Sequence, residues 1–191
     1  MPLLFALGQH EALQAVSRQL RPNERLFAFL DDIYLTTKPD RVGAGYAILE
    51  QELRVHACIR VHTGKTKIWN QAGVRPEVCD VLERIARVQD PTATVWKGSG
   101  PGIPFEEQGI KVLGSPMGHP AFVARQLERT SVKHQVLFDR IPLVEDVQSA
   151  WLLLLHCACA RANYLLRVVR PSAAAGFAET HDQAGIASRT S

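Results

Sequence analysis

Two apolar runs, Leu26 to Leu30 and Ile33 to Leu35, are separated only by Asp31 and Asp32. Apolar segments interrupted so briefly read as strand, tight turn, strand, which holds both carboxylates at a hairpin tip. Their charges cannot then move apart. Two like charges about 4 Å apart at an effective dielectric of about 20 repel by about 4 kcal/mol, so the arrangement costs stability unless a metal ion or a basic side chain offsets it. Carboxylates held in pairs are what phosphoryl-transfer sites use to bind divalent ions. An ordinary solvated turn uses the same residue type, because Asp is common in turns. The rest of the chain decides between the two.

At 191 residues the chain is long enough for one domain with a core, or for one domain plus a small appendage, and too short for two large domains. Its 46% hydrophobic and 21% charged residues are ordinary globular composition and suggest neither overall disorder nor a fibrous repeat. A net charge of +3 permits a polyanionic partner without demanding one. Cys58, Cys79, Cys157 and Cys159 show no C-x-x-C pair and no His at zinc spacing. They read as reduced, buried thiols of an intracellular protein, cytoplasmic or nuclear. Even the apolar stretch Trp151 to Leu155 is far below the roughly 20 residues of a membrane span. No membrane partner is expected.

Leu3, Leu7, Leu13, Val16 and Leu20 fall at helical intervals, so a helix from Pro2 to Leu20 precedes the hairpin. After it, Val42, Tyr46, Leu49 and Leu53 predict a second amphipathic helix. Ala57 to Val61 and Thr66 to Trp69 read as a further extended pair around the Thr63-Gly64 turn, with Lys65 beside that turn. Val78, Leu82, Ile85 and Val88 predict a third helix ended by Asp90-Pro91. Thr94 to Trp96 and Ile110 to Leu113 read as strands joined by the Gly/Pro-rich segment Gly98 to Pro104. Beyond Gly114 only helical spacing is seen, in Phe122, Val123, Leu127, Val136 and Leu137, and then in a long apolar helix from about Asp146 to Val169.

Two motifs fail on spacing. Gly64-Lys65-Thr66 resembles the end of a phosphate-binding P-loop, but the required upstream glycine is Ile59. Gly98, Gly100 and Gly102 are followed by Ile103 where a dinucleotide fingerprint needs glycine, and no helix opens there. The seven histidines form no H-x-x-x-H pair and read as structural or exposed. Arg125, Arg129 and Lys133 fall at successive four-residue steps and so line one helix face. Such a face is either solvated or tracks phosphates.

Taken in order, these segments resemble the second half of a reverse transcriptase of the kind encoded by non-LTR retrotransposons. Phe29-Leu30-Asp31-Asp32 is similar to the aromatic-x-Asp-Asp signature of that family's catalytic hairpin. Gly64-Lys65-Thr66-Lys67-Ile68 resembles the next palm motif, and Ile110-Lys111-Val112-Leu113-Gly114 resembles the strand-turn motif that grips the primer. Pro2-Leu3-Leu4-Phe5 resembles the helix that follows the template-binding motif, and the helices beyond Gly114 take the place of the thumb.

The resemblance implies an RNA-directed DNA polymerase, a nucleotidyltransferase that uses Mg²⁺. Asp31 would be the principal metal ligand, Asp32 would support it, and Lys65 would be the general acid that protonates pyrophosphate. Leu113 and Gly114 would grip the primer, while Arg125, Arg129 and Lys133 would contact the RNA template and DNA primer. The family also requires a third metal-binding aspartate on a strand before the opening helix, together with the fingers. Every other aspartate here, from Asp40 onward, follows the hairpin. The chain therefore reads as a palm-and-thumb fragment of a longer ancestral reading frame, inactive by itself. A non-catalytic nucleic-acid-binding module, or a transposon remnant without a selected role, is the alternative. The expected fold is α+β: a small antiparallel palm-like sheet with helices on one face (residues 1–118), a helical thumb-like segment (119–171), and a disordered tail (172–191).

Overall fold

The computed structural model describes residues 2–190. The chain is α+β and mainly helical, and its strands form two separate two-stranded antiparallel sheets in place of the single sheet expected. It divides into two units between Gly100 and Pro101, rather than at the 118/119 boundary read from the sequence.

The first unit holds helix α1 (Pro2–Gln19), strands β1 (Arg25–Phe29) and β2 (Asp32–Thr36), and helices α2 (Val42–Ala57) and α3 (Val78–Gln89). Ala12 and Val16 of α1 are completely buried against Leu49 and Leu53 of α2, and Leu26 and Ile33 of the hairpin pack on the same cluster. Burial of each such branched side chain contributes about 1.5–3 kcal/mol. Leu7 is exposed, so the buried stripe of α1 begins later than its leucine spacing predicts. The side chain of Leu3 lies outside the described residues.

The expected strand Ala57 to Val61 is not formed. Helix α2 runs on to Ala57 and is closed by Cys58 in the left-handed conformation (φ 55°), with the Ile59 N–H donating to Leu53 O at 3.0 Å. That left-handed residue ends the helix and turns Ile59 and Val61 back onto the α1–α2 core. Of the remaining extended segments, Ile68 pairs with Trp96 in a single parallel bridge. Helix α3 buries Cys79, Leu82 and Ala86, whereas Ile85 and Val88 face solvent. Its true inner face is thus offset from the predicted one, because Leu82 and Ala86 are the residues that pack with Ala93 and Val95. Gly98 has a packing role: a side chain there would collide with the buried ring of Trp96, whose indole N–H donates to Ser99 O at 2.9 Å.

The second unit holds strands β3 (Gly109–Val112) and β4 (Ser115–Gly118), helix α4 (Pro120–Arg140), a helical run from Val147 to Val168, and helix α7 (Pro171–Thr190). Strand β4 is a correction, since no strand was expected after Leu113. The predicted long helix is divided into α5 (Val147–Leu152), a π turn (Leu153–Ala158), a 3-10 turn (Cys159–Ala162) and α6 (Asn163–Val168). Residues 172–190 are helical where a disordered tail was expected, and Ser191 lies outside the described residues. Pro171 is placed at the helix start, where its missing N–H costs nothing. Ala174 and Phe177 of α7 are buried with Leu127 of α4 and with Ala162, Leu165 and Val169. Among the described residues no helix is long and apolar enough to cross a membrane.

Candidate functional site

The β1–β2 register ends on the pair Phe29↔Asp32, which leaves Leu30 and Asp31 as a two-residue turn. Both aspartates therefore sit at the tip, as the sequence predicts, but in different roles: Asp31 is a turn residue, and Asp32 opens β2. Leu30 takes a left-handed φ of 55°. A residue with a Cβ pays about 1–2 kcal/mol for that conformation, so the tip is locally strained. Both carboxylates are exposed. The Tyr34 hydroxyl donates to Asp32 Oδ2 at 3.1 Å, fixing one of the two against the strand.

Strand alternation sorts the hairpin into two faces. Leu26↔Leu35 and Ala28↔Ile33 turn toward the helices, while Phe27↔Tyr34 and Phe29↔Asp32 share the other face. Phe27 and Phe29 are more than half exposed, at 57% and 58%, so the acidic tip adjoins an open aromatic surface. Between α1 and β1 lies an open cleft of about 430 Å³, with His10, Gln14 and Arg18 along the helix and Leu26 and Ala28 along the strand.

The base of the hairpin is held by a residue that the sequence reading missed. Glu24 is almost completely buried and accepts from the Arg21 N–H at 2.9 Å, the Thr37 hydroxyl at 2.7 Å and Arg41 Nε at 3.3 Å. These donors, the Arg21 backbone N–H foremost, hold its carboxyl down to about 2. They join the two ends of the hairpin and the start of α2. Periodicity gives no sign of such a clasp, because its partners are separated by 3, 13 and 17 positions.

Lys65 is exposed on a 3-10 turn, Thr63–Lys65. Thr63 is buried with its hydroxyl 3.0 Å from Tyr46 Oη, and the Gly64 N–H donates to Gln89 Oε1 at 3.2 Å, so the turn is anchored on α2 and α3. No hydrogen bond or ion pair joins Lys65 to either aspartate among the described residues. The structure brings Asp31 and Asp32 together and leaves Lys65 on a different element. Nor do the described residues contain a cluster of three or more His, Cys, Asp or Glu side chains placed to hold a metal ion. The pair alone does not fit a complete Mg²⁺ centre.

In the second unit, Leu113 and Gly114 form the two-residue turn between β3 and β4, closed by Val112↔Ser115. Their φ values of 49° and 85° are both left-handed, the pattern of a type I′ turn. The Tyr164 hydroxyl donates to Leu113 O at 2.6 Å, tying this turn to α6. A Cβ on Gly114 would meet Tyr164 at an ordinary 3.6 Å, so backbone conformation rather than space demands glycine there. Arg125, Arg129 and Lys133 follow one another along α4, with Arg129 and Lys133 exposed and Arg125 within 3.8 Å of Glu107. The cysteines differ from expectation. Cys79 is buried, its thiol pushed up by desolvation, while Cys58 and Cys157 are exposed.

No known protein family, curated protein or solved structure matches the chain.

Proposed function

We propose that the chain is the palm and thumb portion of an RNA-directed DNA polymerase of the non-LTR retrotransposon type. The observation that carries this reading is the acidic tip: two adjacent carboxylates on a two-residue hairpin, preceded by α1 and followed by α2. In this reading Asp31 and Asp32 supply two ligands of a Mg²⁺ site, and another segment supplies the further carboxylate that the described residues lack. Lys65 is the proposed proton donor to pyrophosphate, and the Leu113-Gly114 turn the proposed primer contact. An RNA template and a DNA primer are the proposed partners, and the cytoplasm or nucleus the proposed compartment. The chain by itself is then inactive.

The incomplete acidic set favours a second reading, a nucleic-acid-binding module without catalysis or a transposon remnant without a selected role. Divalent-ion binding separates the two. Paramagnetic Mn²⁺ titrated into the full chain is expected to broaden the amide resonances of Leu30, Asp31 and Asp32 first, and Asp31→Asn to abolish that selectivity. Uniform broadening, or the same selectivity in Asp31→Asn, contradicts the polymerase reading.

A further inference from the structure

Helices α4 and α7 meet across a pair of histidine rings. His134 of α4 and His181 of α7 stand edge to face, with centroids 5.4 Å apart and planes at 71°. Phe138 of α4 lies edge-on to His181 at 5.0 Å, and Phe177 of α7 contacts both imidazoles, at 6.0 Å from His134 and 6.1 Å from His181. His181 is only 7% exposed, and its Nε2 lies 3.3 Å from the carbonyl oxygen of Cys159. Nδ1 of His134 is buried with no hydrogen-bond partner, the one such side-chain nitrogen or oxygen among the described residues.

A neutral imidazole accommodates this by carrying its proton on the other nitrogen. An imidazolium carries protons on both, so His134 would bury an N–H that has no acceptor. Among the described residues no counter-charge faces it. The group that faces His134 from the Cys159–Ala162 turn is Arg161, and the group that faces it from α7 is His181, both of them cationic when charged. On α4 itself, Lys133 and Asp139 are exposed, and Asp139 already accepts from Gln135 at 2.7 Å. Asp182, next to His181, is exposed.

We propose that the α4–α7 contact is a proton-operated latch, in which α7 is seated while the His134 imidazole is neutral and is released when it is protonated. Release uncovers the apolar surface of Leu127, Ala162, Leu165 and Val169 that Ala174 and Phe177 cover. Desolvation, His181 and Arg161 together hold the His134 imidazole below the ordinary histidine range. The sign follows from linkage. A histidine with a lowered folded-state value contributes stability that is complete above the unfolded value of about 6.5 and declines as pH falls toward the folded value.

Hydrogen–deuterium exchange of the full chain, corrected for the intrinsic pH dependence, tests the latch. Protection of α7 amides is expected to fall about tenfold for each pH unit by which the folded value is lowered, with protection of α2 unchanged. His134→Phe, which cannot be protonated, is expected to lose most of that response. Protection of α7 that is independent of pH between 7.5 and 5.0, or an equal response in wild type and His134→Phe, overturns the proposal. Histidine titration by NMR on the wild-type chain decides independently of whether the variant folds: a His134 ring that titrates at or above about 6.5 overturns it.

Discussion

The Tyr34 hydroxyl donates to Asp32 Oδ2 across one strand residue, so the two carboxylates at the hairpin tip are held differently: Asp32 has a fixed partner, and Asp31 rides on a strained turn. Like charges in so small a space oppose folding weakly in solvent. Asp31→Asn in the isolated chain is therefore expected to leave stability unchanged or to raise it by less than about 1 kcal/mol in urea unfolding. A loss of several kcal/mol would show that Asp31 has a structural partner instead.

Glu24 gives the first unit a defined acid sensitivity. Its folded-state value of about 2 lies below the ordinary 4.5, so it contributes stability that is complete above about pH 4.5 and is lost as pH falls toward 2. The difference in urea midpoint between wild type and Glu24→Gln is expected to be constant above pH 5 and to shrink steadily below it. A pH-independent difference would assign the effect to packing alone.

Gly114 is constrained by its backbone. With φ at 85° and ordinary clearance from Tyr164, Gly114→Ala is expected to destabilise the chain by about 1–2 kcal/mol, and the β-branched Gly114→Val by more. Thermal unfolding of both variants checks this order. If the turn also contacts a primer, Gly114→Val will impair primer extension in a complete enzyme more than the stability loss explains.

The basic face of α4 predicts salt-dependent nucleic-acid binding. Replacing Arg129 and Lys133 with Ala is expected to lower the slope of log affinity against log salt by about 0.7 per lost phosphate contact on a single strand. Arg125, partly engaged by Glu107, should contribute less. An unchanged slope in an anisotropy titration would leave this face merely solvated.

The hairpin and helices α1 to α4 were legible because each rests on a local signal: apolar runs flanking two polar residues, or apolar residues at helical intervals. Strand β4 was not. Ser115-Pro116-Met117-Gly118 has little strand propensity, and it pairs because the left-handed Leu113-Gly114 turn returns the chain onto β3, where the His119 N–H reaches Gln108 O at 2.8 Å. Helix α7 was equally hidden. Its small residues lack apolar periodicity, and it is ordered by contacts of Ala174, Phe177 and His181 with residues far away in sequence. At the site, the adjacency of Asp31 and Asp32 could be read directly, whereas the Glu24 clasp depends on three partners brought together only by folding.

Primer extension tests the polymerase reading most directly. A reverse-transcriptase segment bearing the fingers and the third aspartate, joined ahead of this chain, is expected to extend a DNA primer on an RNA template with Mg²⁺, while the 191-residue chain alone is not. In the joined enzyme Asp31→Asn should reduce extension by several orders of magnitude with folding intact, because the substitution keeps the size of the side chain and removes its charge. Extension at the wild-type rate by Asp31→Asn would contradict the assignment of the hairpin as a catalytic metal-binding tip.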